Sequence, residues 1–225
     1  LDAVGSLDDV CGISPSGTYD FASTLDLGAV FSLDLVRHFK TEGFFPSDLF
    51  DARPQGFPTT GTFDGTEANE VDAQLFVRRT QDDPSGSPTY TAFEPFTSGT
   101  FRARGFQFRT VLTSNDPAQD IRVFELGYSA KLEQRTDQGT GQTITSSAGV
   151  TTVSFNSPFF VGTSALGNLN QHLPTVNVTA QNLASGDFFE ISNITASNFQ
   201  IHFKNSSNAS ISKQFTFTAV GFGKG

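Results

Sequence analysis

Acidic side chains are the residues of this chain whose chemistry could act most directly on a substrate. They concentrate in segments that the sequence predicts as loops: Asp48, Asp51, Asp64, Glu67, Asp82 and Asp83. Two carboxyl groups placed across a sugar are enough for glycoside hydrolysis. Acid-rich loops are also commonly solvated surface without a catalytic role. The spacing favours solvated turns and leaves a polysaccharide depolymerase as an alternative.

A bound cation is a second use for these acids. The turn Asp64-Gly65-Thr66-Glu67 combines carboxylate and hydroxyl oxygens, which are the hard ligands that Ca²⁺ prefers. Its spacing is not that of an EF-hand loop. Asp64 and Glu67 are therefore candidate Ca²⁺ ligands, with a plain acidic turn as the alternative. No other cofactor is expected.

Groups for nucleophilic or acid–base catalysis are sparse. The chain has three histidines and a single cysteine, Cys11, with no base near it in sequence. It contains no GxSxG, HExxH or glycine-rich phosphate-binding motif. We therefore expect a protein that is not an enzyme, and one without a disulfide framework.

Binding is the chemistry that the remaining polar residues favour. Arg102 and Arg104 lie two residues apart, so they share one face of an extended chain and either pair with nearby acids or present donors to a sugar or carboxylate. Turns in the C-terminal half offer amides, a carboxylate and an imidazole, which can hydrogen-bond sugar hydroxyls. The candidate ligand-binding residues there are Asn168, Asn170, His172, Asp187, Asn205 and Asn208. The alternative for each is that it only shapes its turn.

Strands are the elements that position these groups. Phe106, Phe108, Thr110 and Leu112 alternate with polar residues, as in a half-buried strand, and the same period recurs along both halves. No segment shows a sustained helical spacing of apolar residues. With 25 Phe in 225 residues, large rings are expected to fill thin cores. The sequence predicts an all-β protein of two antiparallel β-sandwich domains.

Charge and composition place the boundary between these domains. Residues 1–135 carry the whole formal charge of −9, whereas residues 136–225 are net neutral. We predict an acidic jelly-roll-like sandwich over 1–135, a Gly/Thr/Ser-rich linker over 136–148, and a small lectin-like sandwich over 149–225. The neutral half is expected to form the main contact of a homotrimer, because charge-poor surface is cheap to bury.

Charge and composition also exclude some classes of partner and indicate whether the sequence is part of a longer polypeptide. The negative charge argues against nucleic acid, and no apolar run is long enough for a membrane helix. The absence of Met leads us to expect a part of a longer polypeptide or a processed product. The Pro, Gly and Phe content of residues 40–70, without a clean strand period, predicts a long loop. This loop either plugs the end of the first sandwich or faces a ligand.

Several strings resemble the C-terminal region of siphophage host-specificity proteins, the tail-tip or central-fibre proteins of the lambda type. They are TLDLGAVFSLDL (24–35), EGFFPSDLFDAR (42–53), LFVRRTQDDPSGSP (75–88), FRARGFQFRTVLTSNDPAQDI (101–121), the block 159–205 and the terminal FTAVGFGKG. The first half also resembles a discoidin-like galactose-binding jelly roll. The second half resembles the H-type lectin pattern at Val153, Phe155, Phe159, Pro174, Val176, Ile194, Thr195, Phe199, Phe217, Ala219 and Gly221. The family often has Gly before the second aromatic residue and Trp near the end, where this chain has Asn198 and Phe217, and residues 136–225 contain no Arg.

These resemblances imply a non-enzymatic tail-tip segment of a virion that attaches to a host cell. The implied partners are two further copies of the chain, other tail-tip proteins, and a bacterial surface glycan or outer-membrane receptor. The alternative is a structural spacer that carries a separate receptor-binding protein.

Overall fold

The computed structural model describes residues 14–44, 68–117 and 119–224. Within these ranges the regular secondary structure consists of strands alone, and every strand pairing is antiparallel. The strands are β1 (Ser16–Asp20), β2 (Leu25–Phe44), β3 (Val71–Thr80), β4 (Glu94–Pro95), β5 (Gly99–Ser114), β6 (Asp120–Leu132), β7 (Gln134–Asp137), β8 (Ile144–Thr145), β9 (Val150–Ser154), β10 (Thr175–Gln181), β11 (Phe188–Ser192), β12 (Asn198–Lys204) and β13 (Gln214–Phe222). The all-β prediction is confirmed. A search of the described residues for a helix of membrane-spanning length and apolarity finds none.

The first half is one continuous sheet that folds back on itself. Strands β4, β3, β5, β2 and β6 lie side by side in that order, and β1 also pairs with β5. A bulge bends β2 between Asp26 and Phe31, where Gly28 has a φ of +77°. The Phe108 ring of β5 stacks on Tyr128 of β6 at a centroid distance of 4.1 Å, although β2 separates those strands. The two layers of this sandwich are therefore the two ends of one sheet.

The predicted alternation explains the core between these layers. Phe106 and Phe108 are buried, while Gln107 and Arg109 keep partial solvent access on the outer face. The buried cluster consists of Leu25, Leu27, Phe31, Leu33, Leu35, Leu75, Val77, Phe96, Ala103, Phe106, Phe108 and, from the second half of the chain, Phe160.

The second half is a sandwich of two small sheets. One sheet has the order β10–β13–β7, with β8 also paired to β13, and the other has the order β11–β12–β9. Phe199 of one sheet and Phe217 of the other pack edge to face at 5.2 Å. The rest of this core is Val153, Phe155, Phe159, Ile201, Phe203, Phe215 and Ala219.

Residues 136–148, the segment predicted as a linker, contribute strands to the second sandwich. Strand β7 pairs with the end of β13, and β8 pairs with its beginning. Asp137 is buried, and its carboxylate accepts hydrogen bonds from the Gly139 and Asn156 amides and from Arg135. The polar composition that suggested a linker suits short edge strands, whose pairing is decided by the neighbouring strand rather than by propensity.

The two halves meet along the ends of β2 and β13. The Ser32 amide donates to the Lys224 carbonyl at 2.8 Å, and the rings of Phe31 and Phe160 pack edge to face at 6.0 Å. The Thr163 hydroxyl donates to a main-chain carbonyl of β2 at 3.0 Å. Hydrogen bonds and a shared aromatic contact thus fix this end of the second sandwich, which we call the junction end.

Three sequence-based predictions concern residues that the structure describes only in part or not at all. Strand β2 continues to Phe44, so the start of the predicted 40–70 loop is strand. Residues 45–67, with the candidate Ca²⁺ ligands Asp64 and Glu67, lie outside the described residues, and so does Cys11.

Candidate functional site

Strand register defines the end of the second sandwich that lies away from the first half. Strands β10 and β13 run its length, from the Thr175–Val220 pair near the junction to the Gln181–Gln214 pair at the opposite end. The turns beyond Gln181 and beyond β12 therefore lie at that opposite end. We call residues 182–188 and 204–210 the far-end surface.

Asp187 shapes the first turn of this surface. Its carboxylate accepts a hydrogen bond from the Ala184 amide at 2.8 Å and pairs with the Lys213 ammonium at 2.7 Å. The hydrogen bond from Lys213, and after it the bond from the Ala184 amide, hold the pKa of Asp187 below its ordinary value. The side chain is only 6% exposed. Asp187 is therefore committed to the turn and has little capacity for a ligand.

Asn205 plays the same part in the second turn. Its side-chain oxygen accepts hydrogen bonds from the Ser207 and Ala209 amides, each at 3.0 Å. Asn208 occupies the left-handed region at φ +61°, where Asn is tolerated because its short side chain fits. The amide of Asn208 donates to the Asn205 carbonyl at 2.9 Å. The side chain of Asn208 is exposed and makes no hydrogen bond to any described residue.

The two turns pack against each other. A Cβ placed on Gly186, which has φ +83°, would lie 2.8 Å from the Cβ of Ser206. This close approach requires glycine and brings the second turn alongside the first. Asn182, Ser185 and Ser206 are partly or fully exposed, and their side chains make no hydrogen bond to any described residue. Together with Asn208 they offer amide and hydroxyl groups in several directions.

Two exposed apolar side chains border these polar groups. Phe188 follows the first turn, pairs across the strands with Lys204, and is 40% exposed. Leu183, within the first turn, is 42% exposed. The Lys204 ammonium lies over the Phe188 ring, 6.0 Å from its centroid. The exposed part of the ring, beside neutral donors and acceptors, can pack on the apolar face of a sugar ring or on a protein side chain. Neither residue was identified from the sequence, because Leu183 lies in a turn and Phe188 on the outer face of β11, where residue type alone does not distinguish a contact residue from a core residue.

The third predicted turn lies elsewhere. The side-chain oxygen of Asn168 accepts from the Thr163 amide at 2.9 Å, and the His172 ring stacks on Phe160 at 5.9 Å. Asn170 is exposed with φ +60°. Because Phe160 and Thr163 contact the first half, this segment lies at the junction end. The structure thus brings together Asp187, Asn205 and Asn208, and separates them from Asn168, Asn170 and His172.

The predicted arginines differ in their partners. Arg104 binds Asp26 at 3.2 Å and Asp83 at 2.8 Å, whereas the Arg102 side chain has no polar partner in the described ranges. Hydrogen bonds from Ser85 and then Arg104 hold the pKa of Asp83 below its ordinary value. A glycosidase needs one carboxyl group with a raised pKa, so Asp83 does not supply the acid of a depolymerase.

A cleft of about 300 Å³ separates the two halves beside Arg104. Its lining includes Gly28 and Phe31 of β2 and the segment Phe159–Ala165. The Arg104 side chain in its wall is already bound to two acids, so the cleft is mainly an apolar contact region. Among the described residues, no group of three or more His, Cys, Asp or Glu side chains could hold a metal ion.

Comparison of the chain with protein-family models, with curated proteins and with solved structures finds no match in any of the three. The interpretation of the far-end surface therefore depends on its geometry, and the phage resemblance stays a prediction.

Proposed function

We propose that this chain is a non-enzymatic attachment segment of a phage tail fibre, located at the tail tip of the virion. In this proposal its far-end surface contacts a glycan or an outer-membrane receptor on the host cell. The chain assembles as a homotrimer and is joined to other tail-tip proteins.

One observation carries the proposal. The far-end surface combines unbonded amides and hydroxyls with the exposed ring of Phe188, at the end of the second sandwich that points away from the first half. The backbone beneath these groups is fixed by Asp187 and Asn205. Preorganised donors and acceptors lose little entropy when they bind. Three copies of such a weak site raise the avidity without any strong single contact.

A structural spacer is the second candidate, and it also has an observation in its favour. Several residues that sequence reasoning assigned to ligand binding are occupied by contacts within the chain, namely Asp187, Asn205, Asn168 and Arg104. A spacer would have an inert far-end surface and would position a separate receptor-binding protein.

Binding of the purified, fluorescently labelled protein to a panel of bacterial strains separates the two candidates. Attachment predicts saturable binding to a subset of strains, and competition by surface polysaccharide or outer-membrane extract from those strains. A spacer predicts no saturable binding to any strain.

A further inference from the structure

A half-buried arginine on the outer face of the first sheet makes no ion pair with any residue that the structure describes. Arg78 of β3 donates from Nε and Nη2 to the side-chain oxygen of Gln107 at 2.9 and 2.6 Å. Gln107 is itself held by the Thr24 hydroxyl at 2.9 Å. No carboxylate among the described residues lies within ion-pair distance of Arg78. The Asp20 carboxylate, which Arg109 binds, also interacts electrostatically with Arg78, so one carboxylate serves two partly desolvated cations. Positive charge in excess of its carboxylate and partly removed from water favours the binding of an anion.

Aromatic rings fix the orientation of this guanidinium. Its central carbon lies 4.7 Å from the ring centroids of both Tyr90 and Phe93. The Arg109 guanidinium also lies over the Phe93 ring, with its central carbon 4.3 Å from the ring centroid. Stacked guanidinium groups lose less conformational freedom when they bind an anion. Two arginines on neighbouring strands are thus ordered around one ring.

Each guanidinium keeps donors free. Arg109 uses Nε and Nη2 on Asp20, at 2.7 and 3.1 Å, and Arg78 uses the corresponding atoms on Gln107. Neither Nη1 group has an acceptor in the part of the chain that the structure describes. Asp20 is the one carboxylate in the described ranges within ion-pair distance of either cation. The two arginines and Asp20 together therefore carry a net positive charge within an acidic half.

The Tyr90 hydroxyl adds an independent sign of an incomplete site. Its oxygen is buried and has no hydrogen-bond partner among the described residues. Buried hydroxyls in proteins nearly always have a partner, and an exception calls for an explanation such as an unseen water or ion. This unmet hydroxyl belongs to the ring on which Arg78 stacks.

We propose that Arg78 and Arg109 form a binding site for a carboxylate or phosphate oxyanion. The free Nη1 groups donate to the oxyanion, and Phe93 holds both guanidinium groups in place. This site lies on the first half and is separate from the far-end surface, so it goes beyond the proposed function.

Titration of the whole chain, followed through the arginine Nε–H signals by NMR, tests the site directly. The probes are trigalacturonate for the carboxylate, glucose 1-phosphate for the phosphate, and maltotriose as the neutral control. We expect saturable shifts of the Arg78 and Arg109 signals with at least one anionic probe and none with maltotriose. The responding probe identifies the source of the oxyanion. No saturable shift with either anion, or equal shifts with maltotriose, overturns the proposal.

Three variants separate binding from a structural role. Arg78→Gln should weaken binding of the responding probe about tenfold or more, because a charge-assisted hydrogen bond is lost. Arg79→Gln is the matched control, since Arg79 is the next residue of the same strand and pairs with Glu94 instead; its affinity should be unchanged. Asp20→Asn removes the carboxylate that binds Arg109 beside the site and should tighten binding.

The Asp20→Asn result decides the matter if Arg78→Gln fails to fold. Unchanged or weaker binding by Asp20→Asn would mean that the arginines have only a structural role, which is to pack residues 90–93 against the sheet. Cell binding through the far-end surface is measured separately, so its loss with anion binding intact contradicts only the proposed function.

Discussion

Single polar side chains in this protein work mainly by satisfying backbone groups at turns. Asn205 and Asp137 each accept hydrogen bonds from two main-chain amides. Asp187 accepts one from the Ala184 amide and pairs with the Lys213 ammonium. These bonds make the turns rigid, and they leave the neighbouring hydroxyls and amides as the groups that can meet a partner. At this scale, structural and binding roles fall to adjacent residues.

The structural role of the Asp187 carboxyl should be visible in its pKa and in the pH dependence of the stability that it contributes. Its folded pKa lies below the ordinary value of 3.8, because Lys213 and the Ala184 amide bind the charged form. The stability it contributes is therefore fully present above about pH 4 and is lost as the pH falls through the lowered pKa. Carboxyl-detected NMR should give a midpoint below 3.8. In Lys213→Ala the midpoint should rise, and a wild-type midpoint at or above the ordinary value would contradict this account.

The buried rings set the stability of the first half. Phe108 is 1% exposed and stacks on Tyr128. Phe108→Ala should therefore lower the free energy of unfolding by about 3–5 kcal/mol, as in other emptied aromatic core sites. Chemical denaturation measures this loss. A loss below about 1 kcal/mol, the range of exposed positions, would mean that the ring does not hold the layers together.

At the scale of elements, a bulge bends strand β2 of the first sheet. Strand β2 pairs with β5 on one stretch and with β6 on the next, and Gly28 lies at the irregularity within the first stretch. The Asp26 side chain accepts from the Gly28 amide at 2.8 Å and from Arg104 at 3.2 Å. The bend is thus braced by side chains on the face that meets the second half.

Substitution of Gly28 tests the bulge. An alanine there would be held at φ +77°, with its Cβ 3.0 Å from the Thr163 methyl group. We expect Gly28→Ala to destabilise the protein by about 1–2 kcal/mol, the penalty for a left-handed residue with a side chain. Gly17→Ala is the control, since a Cβ there meets nothing within 4 Å, and its effect should stay within about 0.5 kcal/mol. Equal effects of the two substitutions in thermal unfolding would contradict a conformational role for Gly28.

Strand period was the part of the fold that could be predicted from the sequence. The faces of Phe106 and Phe108 and of Phe215 and Phe217 followed directly from alternation. Strands β7 and β8 could not be predicted, because polar edge strands have no apolar period and depend on β13 for their pairing. The turns of the candidate site were identified, but the free groups within them were not. Which amide an Asp or Asn accepts from is a matter of local backbone geometry, which composition does not encode.

At the scale of the whole molecule, the distribution of charge separates the two halves. The formal charge of −9 resides in residues 1–135, so close approach of two first halves is opposed by repulsion. The outer face of the β10–β13–β7 sheet is uncharged and presents Asn177, Thr179, Thr216 and Thr218 in cross-strand pairs. Hydroxyls and amides both donate and accept, so such a face can meet a second copy of itself.

The proposed trimer follows from this distribution. Light scattering at micromolar concentration should give about three times the chain mass of 24.2 kDa. Thr218→Lys places a charge on the uncharged face and should shift the protein towards the monomer, because a buried unpaired charge is costly. Thr152→Lys, on the β9 strand of the opposite sheet, is the control. A monomeric wild-type protein, or an unaffected Thr218→Lys trimer, would contradict this interface.

Binding to bacterial cells by two matched glycine variants tests attachment through the far-end surface most directly. Asn208→Gly and Asn170→Gly remove the same amide from left-handed positions, φ +61° and +60°, at opposite ends of the second sandwich. Glycine tolerates both conformations, so both variants should fold. On a strain that the wild-type protein binds, the account predicts weaker binding by Asn208→Gly, and still weaker binding when Phe188→Ser is added, with Asn170→Gly unchanged. Loss of binding by Asn170→Gly with Asn208→Gly unaffected would contradict the account and assign attachment to the junction end.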